Sequence, residues 1–325
     1  MTRKTRLTIL LACVVCFFVV APILILYSMG DRIDFANMRI METGGIYVRT
    51  FPAADQITID SKVIEKPGMF SNSIFVQSLL PNLHTVLVEK TGYYNYFKTI
   101  SVLEKEVTKL ENIILFKKNI QFAAIKNLTQ SPFNTQEKFV IKNSNLYYSS
   151  VPENSTLTAI QKATPIIKKI TAYAIQGNNI IWLGTDGFLY RSDSTNLAAL
   201  PIKITLTAIK ISIKATYKIT LSDQNILLNN NGSLLIYNKD KNDFENFPAT
   251  AGYGKIADCR WVNDYYVVFT TGDKVIISET DYRGNVNMIT LPVETKNPQI
   301  FFNQQEEKLY ILTGGTLLLS EKLIP

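Results

Sequence analysis

An all-β ectodomain carried on one N-terminal transmembrane helix is the fold class this sequence predicts, and three observations predict it. Leu7 to Tyr27 is an uncharged, apolar run. From Gly44 onward, apolar residues alternate with polar ones at period two, interrupted by proline and glycine turns. From Ile120 onward, hairpin patterns return at a spacing of about 40 to 45 residues.

The 21-residue run comes first because it decides the compartment. At about 1.5 Å per residue it spans roughly 31 Å, the thickness of a bilayer's hydrocarbon core. A cleaved signal peptide would have a shorter apolar region and a small-residue cleavage site, which Ala21-Pro22-Ile23 matches poorly. Arg3, Lys4 and Arg6 crowd the N-terminal flank, whereas Arg32 and Arg39 are interspersed with Asp31, Asp34 and Glu42. The positive-inside bias therefore predicts a cytoplasmic tail at 1–6, a span at 7–27, a juxtamembrane linker at 28–43 and an extracytoplasmic bulk.

Composition agrees with a folded ectodomain, at 46% hydrophobic with 12 Pro and 15 Gly in 325 residues. Arg3, Lys4 and Arg6 supply three of the net +7, leaving +4 spread without a Lys/Arg block, so nucleic acid is not an expected partner. Cys13 and Cys16 lie in the span and Cys259 is the one other cysteine, which excludes a disulfide within the ectodomain. Cys259, at strand-like spacing in Ala257-Asp258-Cys259-Arg260-Trp261, reads as a buried small hydrophobe.

Residues 44–116 read as a small antiparallel β-sandwich. Strands are expected at Gly45–Thr50, Gln56–Asp60, Ser73–Val76, His84–Glu89, Phe97–Val102 and Val107–Leu115, with turns at Phe51-Pro52-Ala53-Ala54, Pro67-Gly68, Pro81-Asn82 and Thr91-Gly92. Gly45 to Val48, Pro52-Ala53, Ile57 to Asp60, Leu80-Pro81 with His84-Thr85-Val86, and Lys90-Thr91-Gly92-Tyr93 follow one another in the order and spacing of a known module. This stretch resembles the PEGA domain, a bacterial and archaeal surface module, over roughly a fifth of the chain. Two positions depart from its signature: Ala53-Ala54-Asp55 stands where Glu-Gly-Ala is usual, and Ser61 where a glycine normally follows the Asp. The resemblance implies a non-enzymatic surface domain beside a binding module of the cell envelope.

Residues 117–325 read as a β-propeller-like domain of about five blades. Glu137–Ser150, Asn179–Arg191, Gln224–Asn238, Asp264–Ser278 and Glu307–Ser320 each read strand, tight turn, strand. Their turns centre on Asn143-Ser144-Asn145, Asp186-Gly187, Asn231-Gly232, Gly272-Asp273 and Gly314-Gly315, the last four expected as two-residue glycine turns. The early strand Ile120–Lys126 is expected to pair with Leu317–Ser320.

Candidate chemistry is sparse. A single histidine, His84, removes most Ser-His and Cys-His triads, and no P-loop, nucleophile elbow or dinucleotide fingerprint occurs. His84 reads as a structural hydrogen-bonding residue, and Asp186, Asp223, Asp258 and Asp264 as turn or strand-end aspartates. Tyr237 to Asp243 echoes a calcium loop, but Lys239 and Lys241 alternate with its acids, so no metal is expected. The run Tyr93, Tyr94, Tyr96 and Phe97 reads first as core and turn aromatics, and as a platform on which sugar faces stack it is the one candidate ligand contact, at Tyr93, Tyr94 and Tyr96. The expectation is a non-enzymatic binding or scaffold protein of the bacterial envelope, with the bilayer as partner through 7–27 and an envelope protein or glycan as ligand. No catalytic residue and no cofactor are expected. A carboxylate-dependent glycan hydrolase and a passive structural component are the alternatives.

Overall fold

The computed structural model describes residues 3–34, 39–64, 71–125, 139–149, 164–212, 216–230, 233–238, 242–247 and 255–324. The expected turns at Pro67-Gly68 and Asn231-Gly232, and the acid loop around Asp240, lie outside the described residues. The chain divides into two compact units, one of Met1–Lys117 with Arg283–Asn285 and Pro325, the other of Lys118–Tyr282 with Val286–Ile324.

The first unit begins with helix α1, Arg3–Met29, which runs through Pro22 without a break. Within it Thr5–Leu26 is long and apolar enough to cross a membrane. The stretch expected as a linker instead carries a hairpin, β1 (Asp31–Asp34) with β2 (Arg39–Glu42). Lys105 ties Glu42 to the rest of the unit at 2.6 Å.

Seven strands follow: β3 (Gly44–Phe51), β4 (Gln56–Ile59), β5 (Lys62–Ile64), β6 (Ser73–Leu79), β7 (Leu83–Glu89), β8 (Tyr96–Ser101) and β9 (Val107–Ile114). They form two sheets, ordered β6-β3-β9 and β5-β4-β7-β8. Period-two alternation gives each sheet one apolar face, and Ile46, Val48, Ile57, Ile59, Val86, Val88, Ile100 and Leu110 bury theirs in one core. The expected all-antiparallel order is corrected at β9, which pairs with β3 in parallel, Gly45 opposite Val107. The chain crosses between the sheets at β3–β4, β5–β6, β6–β7 and β8–β9, and β9 returns beside β3 in the same direction. Alternation along a strand carries no information about that choice.

The short strand β5, absent from the sequence reading, follows a two-residue turn in which Asp60 and Ser61 both have positive φ, 49° and 62°. Ile59 pairs with Lys62 across it. That is the geometry of a type I′ hairpin, which favours Asp-Gly.

The described residues of the second unit form five antiparallel sheets. The strand β10 (Phe122–Ile125) precedes them all in the chain. The first sheet is β11 (Phe139–Lys142), β12 (Asn145–Tyr148) and β13 (Ile167–Lys168); the second is β14 (Ile170–Gln176), β15 (Asn179–Gly184), β16 (Leu189–Asp193) and β17 (Ile202–Lys203). The third is β18 (Lys218–Leu221), β19 (Ile226–Asn229), β20 (Leu234–Asn238) and β21 (Asp243–Asn246). The fourth is β22 (Ile256–Asn263), β23 (Tyr266–Thr271), β24 (Lys274–Glu279) and β25 (Met288–Thr290). The fifth is β26 (Gln299–Asn303), β27 (Lys308–Thr313) and β28 (Thr316–Ser320), completed by β10, with Phe122 opposite Ser320 and Ile125 opposite Leu317 as expected.

The first four sheets are meanders, the fifth is a meander completed by β10, and neighbours in sequence pack face to face in the manner of propeller blades. Ile180 and Trp182 of β15 point to the first sheet, packing with Phe139 and Leu146. Ile181 and Leu183 point the other way, to Ile219, Ile226 and Leu228 of the third. Leu227 in turn meets Cys259, Trp261, Val267 and Phe269 of the fourth. Middle strands are thus apolar on both faces, which is why they read as continuous runs such as Ile-Ile-Trp-Leu and Tyr-Val-Val-Phe.

Polar straps add direction to this stacking. Tyr173 donates to the Phe139 carbonyl at 2.6 Å, Gln176 to Ser222 at 3.1 Å and the Trp261 indole to Thr220 at 3.0 Å. Of the turns expected to hold two residues, Gly272-Asp273 and Gly314-Gly315 do. Asp186-Gly187 does not, because Leu183 pairs with Leu189 and the loop runs from 184 to 188. Asp186 stabilises that longer loop by accepting the Phe188 amide at 3.2 Å. On the flanks of the expected Asn231-Gly232 turn, Asn229 pairs with Leu234 and Asn230 accepts the Ser233 amide at 2.8 Å.

Candidate functional site

The aromatic run divides between core and surface. Tyr96, on β8, is only 4% exposed and belongs to the first unit's core, while Phe97 beside it points outward. Tyr93 packs against the same core, with the Lys90 ammonium 5.8 Å from its ring centre. Tyr94 is half-buried, its amide bonded to the Phe116 carbonyl at 2.9 Å. Alternation along the strand separates rings that the sequence sets side by side.

His84 is held from both sides. Its Nδ1 lies 2.5 Å from Asp60 Oδ2 and its Nε2 2.7 Å from the Leu80 carbonyl oxygen. Both partners are hydrogen-bond acceptors, and between them they fix the orientation of the ring. Burial pushes the Asp60 carboxyl up, but hydrogen bonds from His84 and the Thr85 amide outweigh it and hold the group below its usual range. Asp60 thereby pins the tight β4–β5 turn to β7.

The aspartates of the second unit are engaged in the fold. Asp186 accepts the Tyr190 hydroxyl at 2.7 Å, and burial first, then this bond, pushes the phenol up to about 12. Asp264 receives the Gln224 amide at 3.1 Å, linking the third and fourth sheets. Asp258 corrects the turn assignment: it is buried inside β22, where it accepts the Cys259 amide at 3.0 Å and the Ile300 amide of β26 at 3.3 Å. Cys259 is buried among apolar neighbours, and burial followed by the Asp258 charge pushes its thiol far up, away from the reactive thiolate. Among the described residues, no group of three His, Cys, Asp or Glu is placed to hold a metal ion.

A different feature escaped the sequence reading. Leu200, Ile202 and Leu206 are 90%, 56% and 73% exposed, on and beside the edge strand β17. The backbone between Leu200 and Leu206 is fixed at its centre: Ile202 pairs with Arg191, Ile204 donates to Leu189 at 2.8 Å, and Tyr237 donates to the Ile204 carbonyl at 3.1 Å. Ile204 enters the seam between the second and third sheets, and the apolar face continues past the edge into solvent. Arg191, which pairs with Ile202, and Lys203 and Lys210, which are close to it in the chain, are exposed, the Lys203 ammonium 3.2 Å from the Phe188 ring centre. The signal available in the sequence was the acid-free stretch between Asp193 and Asp223, which contains Lys203, Lys210, Lys214 and Lys218. Lys214 lies outside the described residues.

No family model matches the chain, and no curated protein does. Solved structures similar to it include YCF48 from Cyanidioschyzon merolae, at 12% identity over 85% of this chain and 98% of that one, TM-score 0.36. BamB from Moraxella catarrhalis is 9% identical over 74% of this chain and 79% of that one, TM-score 0.35. The β-propeller domain of Cps50 (Swd1) from Myceliophteria thermophila is 11% identical over 45% of this chain, TM-score 0.33, and the chain spans about half its length, 49%.

Proposed function

We propose that this chain is a non-enzymatic binding or scaffold protein of the bacterial cell envelope, anchored by α1 with its N-terminus in the cytoplasm and both β units outside. The observation that carries the reading is the engagement of the side chains suited to acid–base work. His84, Asp60, Asp186, Asp258 and Asp264 each hold a turn, a strand or a sheet-to-sheet strap. In this reading the first unit, whose Pro-Ala turn and Lys-Thr-Gly-Tyr segment resemble a PEGA domain, acts as the connector, and the second presents the surface that meets a protein or glycan partner.

Orientation is tested by protease applied to intact cells, which is expected to release fragments of the β units; an ectodomain left uncut would reverse the topology. Function is tested by presenting the detergent-solubilised full chain to envelope polysaccharide and membrane-protein fractions at several salt concentrations, alongside a panel of chromogenic glycosides. Retention of one fraction without glycoside turnover is the expected result. Turnover that disappears in an aspartate variant would replace the reading with a hydrolase.

A further inference from the structure

We propose that the edge formed by Leu200, Ile202 and Leu206, flanked by Arg191, Lys203 and Lys210, is a second membrane contact that docks the second unit onto an anionic lipid surface. The inference rests on the reading of α1 as a membrane anchor and adds a site to it.

Exposure is the first reason. Among the described residues Leu200 and Leu206 are the two most exposed large apolar side chains, above even Phe18 at 70% on the helix assigned to the bilayer. Leaving such side chains in water forgoes the gain of burial, and the backbone between them, from Ile202 to Ile204, is hydrogen-bonded on both sides. They form a preset wedge.

Charge is the second reason. The stretch between Asp193 and Asp223 has lysines and no acid, and the two acids that precede it in the chain are engaged within the second sheet: Asp193 accepts Thr195 at 2.6 Å and Asp186 accepts Tyr190. An aliphatic wedge framed by cations is complementary to a surface that is anionic at the headgroups and apolar beneath them.

The edge itself disfavours the other occupants. Pro201 lacks an amide donor, β17 pairs through only Lys203 and Ile202, and Lys203 sits in the strand. A short edge with proline and lysine resists the addition of another strand, whether from a peptide or from a second copy. A lipid surface requires no backbone pairing. Because α1 keeps a bilayer tethered to the chain, even a weak contact is populated, as a high local concentration of lipid replaces intrinsic affinity.

The test uses the full chain carrying Leu200→Trp, reconstituted into phosphatidylcholine vesicles with or without about 30 mol% phosphatidylglycerol, with acyl chains brominated or plain. Bromine quenches indoles that enter the hydrocarbon, and the native Trp182 and Trp261 are buried in the protein. The added emission is expected to fall about two-fold or more in brominated anionic vesicles, and Lys203→Glu is expected to lower the docked population about five-fold or more. Equal emission with brominated and plain lipid would overturn the docking site. So would a blue shift that grows with protein-to-lipid ratio and ignores bromine, which would assign the edge to a second copy. Carbonate-resistant flotation of the same samples reports on α1 separately: a chain that floats unquenched overturns the docking alone, and one that does not float overturns the anchor and the docking together.

Discussion

The two β units bury their apolar side chains by opposite strategies. In the first, β3 lies between β6 and β9, and its partner Val107 is far along the chain from Gly45, so a single core depends on strands that arrive late. In the second, nearly every ladder joins neighbours in sequence, and the first four sheets share a separate apolar seam from each to the next. The exception is β10 with β28, which joins the start of the unit to its end. Non-local pairing defers the reward for closing long loops, whereas stacked meanders collect it sheet by sheet. The first unit is therefore expected to respond to damage as a whole, and the second according to which seam is hit.

The strongest test of that difference is a pair of core truncations. Phe269→Ala, in the seam of the third and fourth sheets, is expected to destabilise the second unit by about 3–5 kcal/mol and Ile57→Ala the first by about 2–5 kcal/mol. Denaturant unfolding followed by hydrogen exchange should show each change confined to its own unit; a shared shift would mean that the two unfold as one body. Next in size is Gly187→Ala. At φ 86° an alanine is strained, and its Cβ would clash with the Ile209 carbonyl, so a loss of about 1–3 kcal/mol from the second unit is expected in the same experiment.

A smaller effect of opposite sign is expected in the first unit. Ser61→Gly places the residue that suits positive φ into the β4–β5 turn and should raise stability by about 0.5–1 kcal/mol, visible as a higher denaturant midpoint. An unchanged or lower midpoint would show that the turn is not strained by serine.

The smallest concerns acid. Asp55, held down chiefly by the Thr91 amide, and Asp60 belong to the first unit; Asp193, held down chiefly by Thr195, belongs to the second. All three carboxyls are depressed in the folded chain, so their contribution is present above the ordinary carboxylate value near 4 and is lost as pH falls through the lowered one. The first unit is expected to lose the larger share of its stability in that window, and hydrogen exchange across an acid series measures it.

Much of this was legible beforehand where the physics is local. The strands from Gly44 to Ile114 other than β5, the five hairpin repeats and the β10–β28 pairing follow from alternation and turn residues that act over a few positions. Asp258 was misread because an aspartate beside strand residues looks like a strand end until its acceptor oxygens are seen facing Cys259 and Ile300. Leu200, Ile202 and Leu206 went unnoticed because an apolar alternation reads the same whether its face is covered or bare.

By itself the sequence determined the apolar helix, the all-β character and the repeat in the second unit, because length, period and turn chemistry are properties of short segments. Only the tertiary structure decided the parallel pairing of β3 with β9, the depth of Tyr96 beside an outward Phe97, and the exposure of the β17 edge. Those depend on which surfaces meet, and that is set by chain segments distant in sequence competing to bury the same apolar faces.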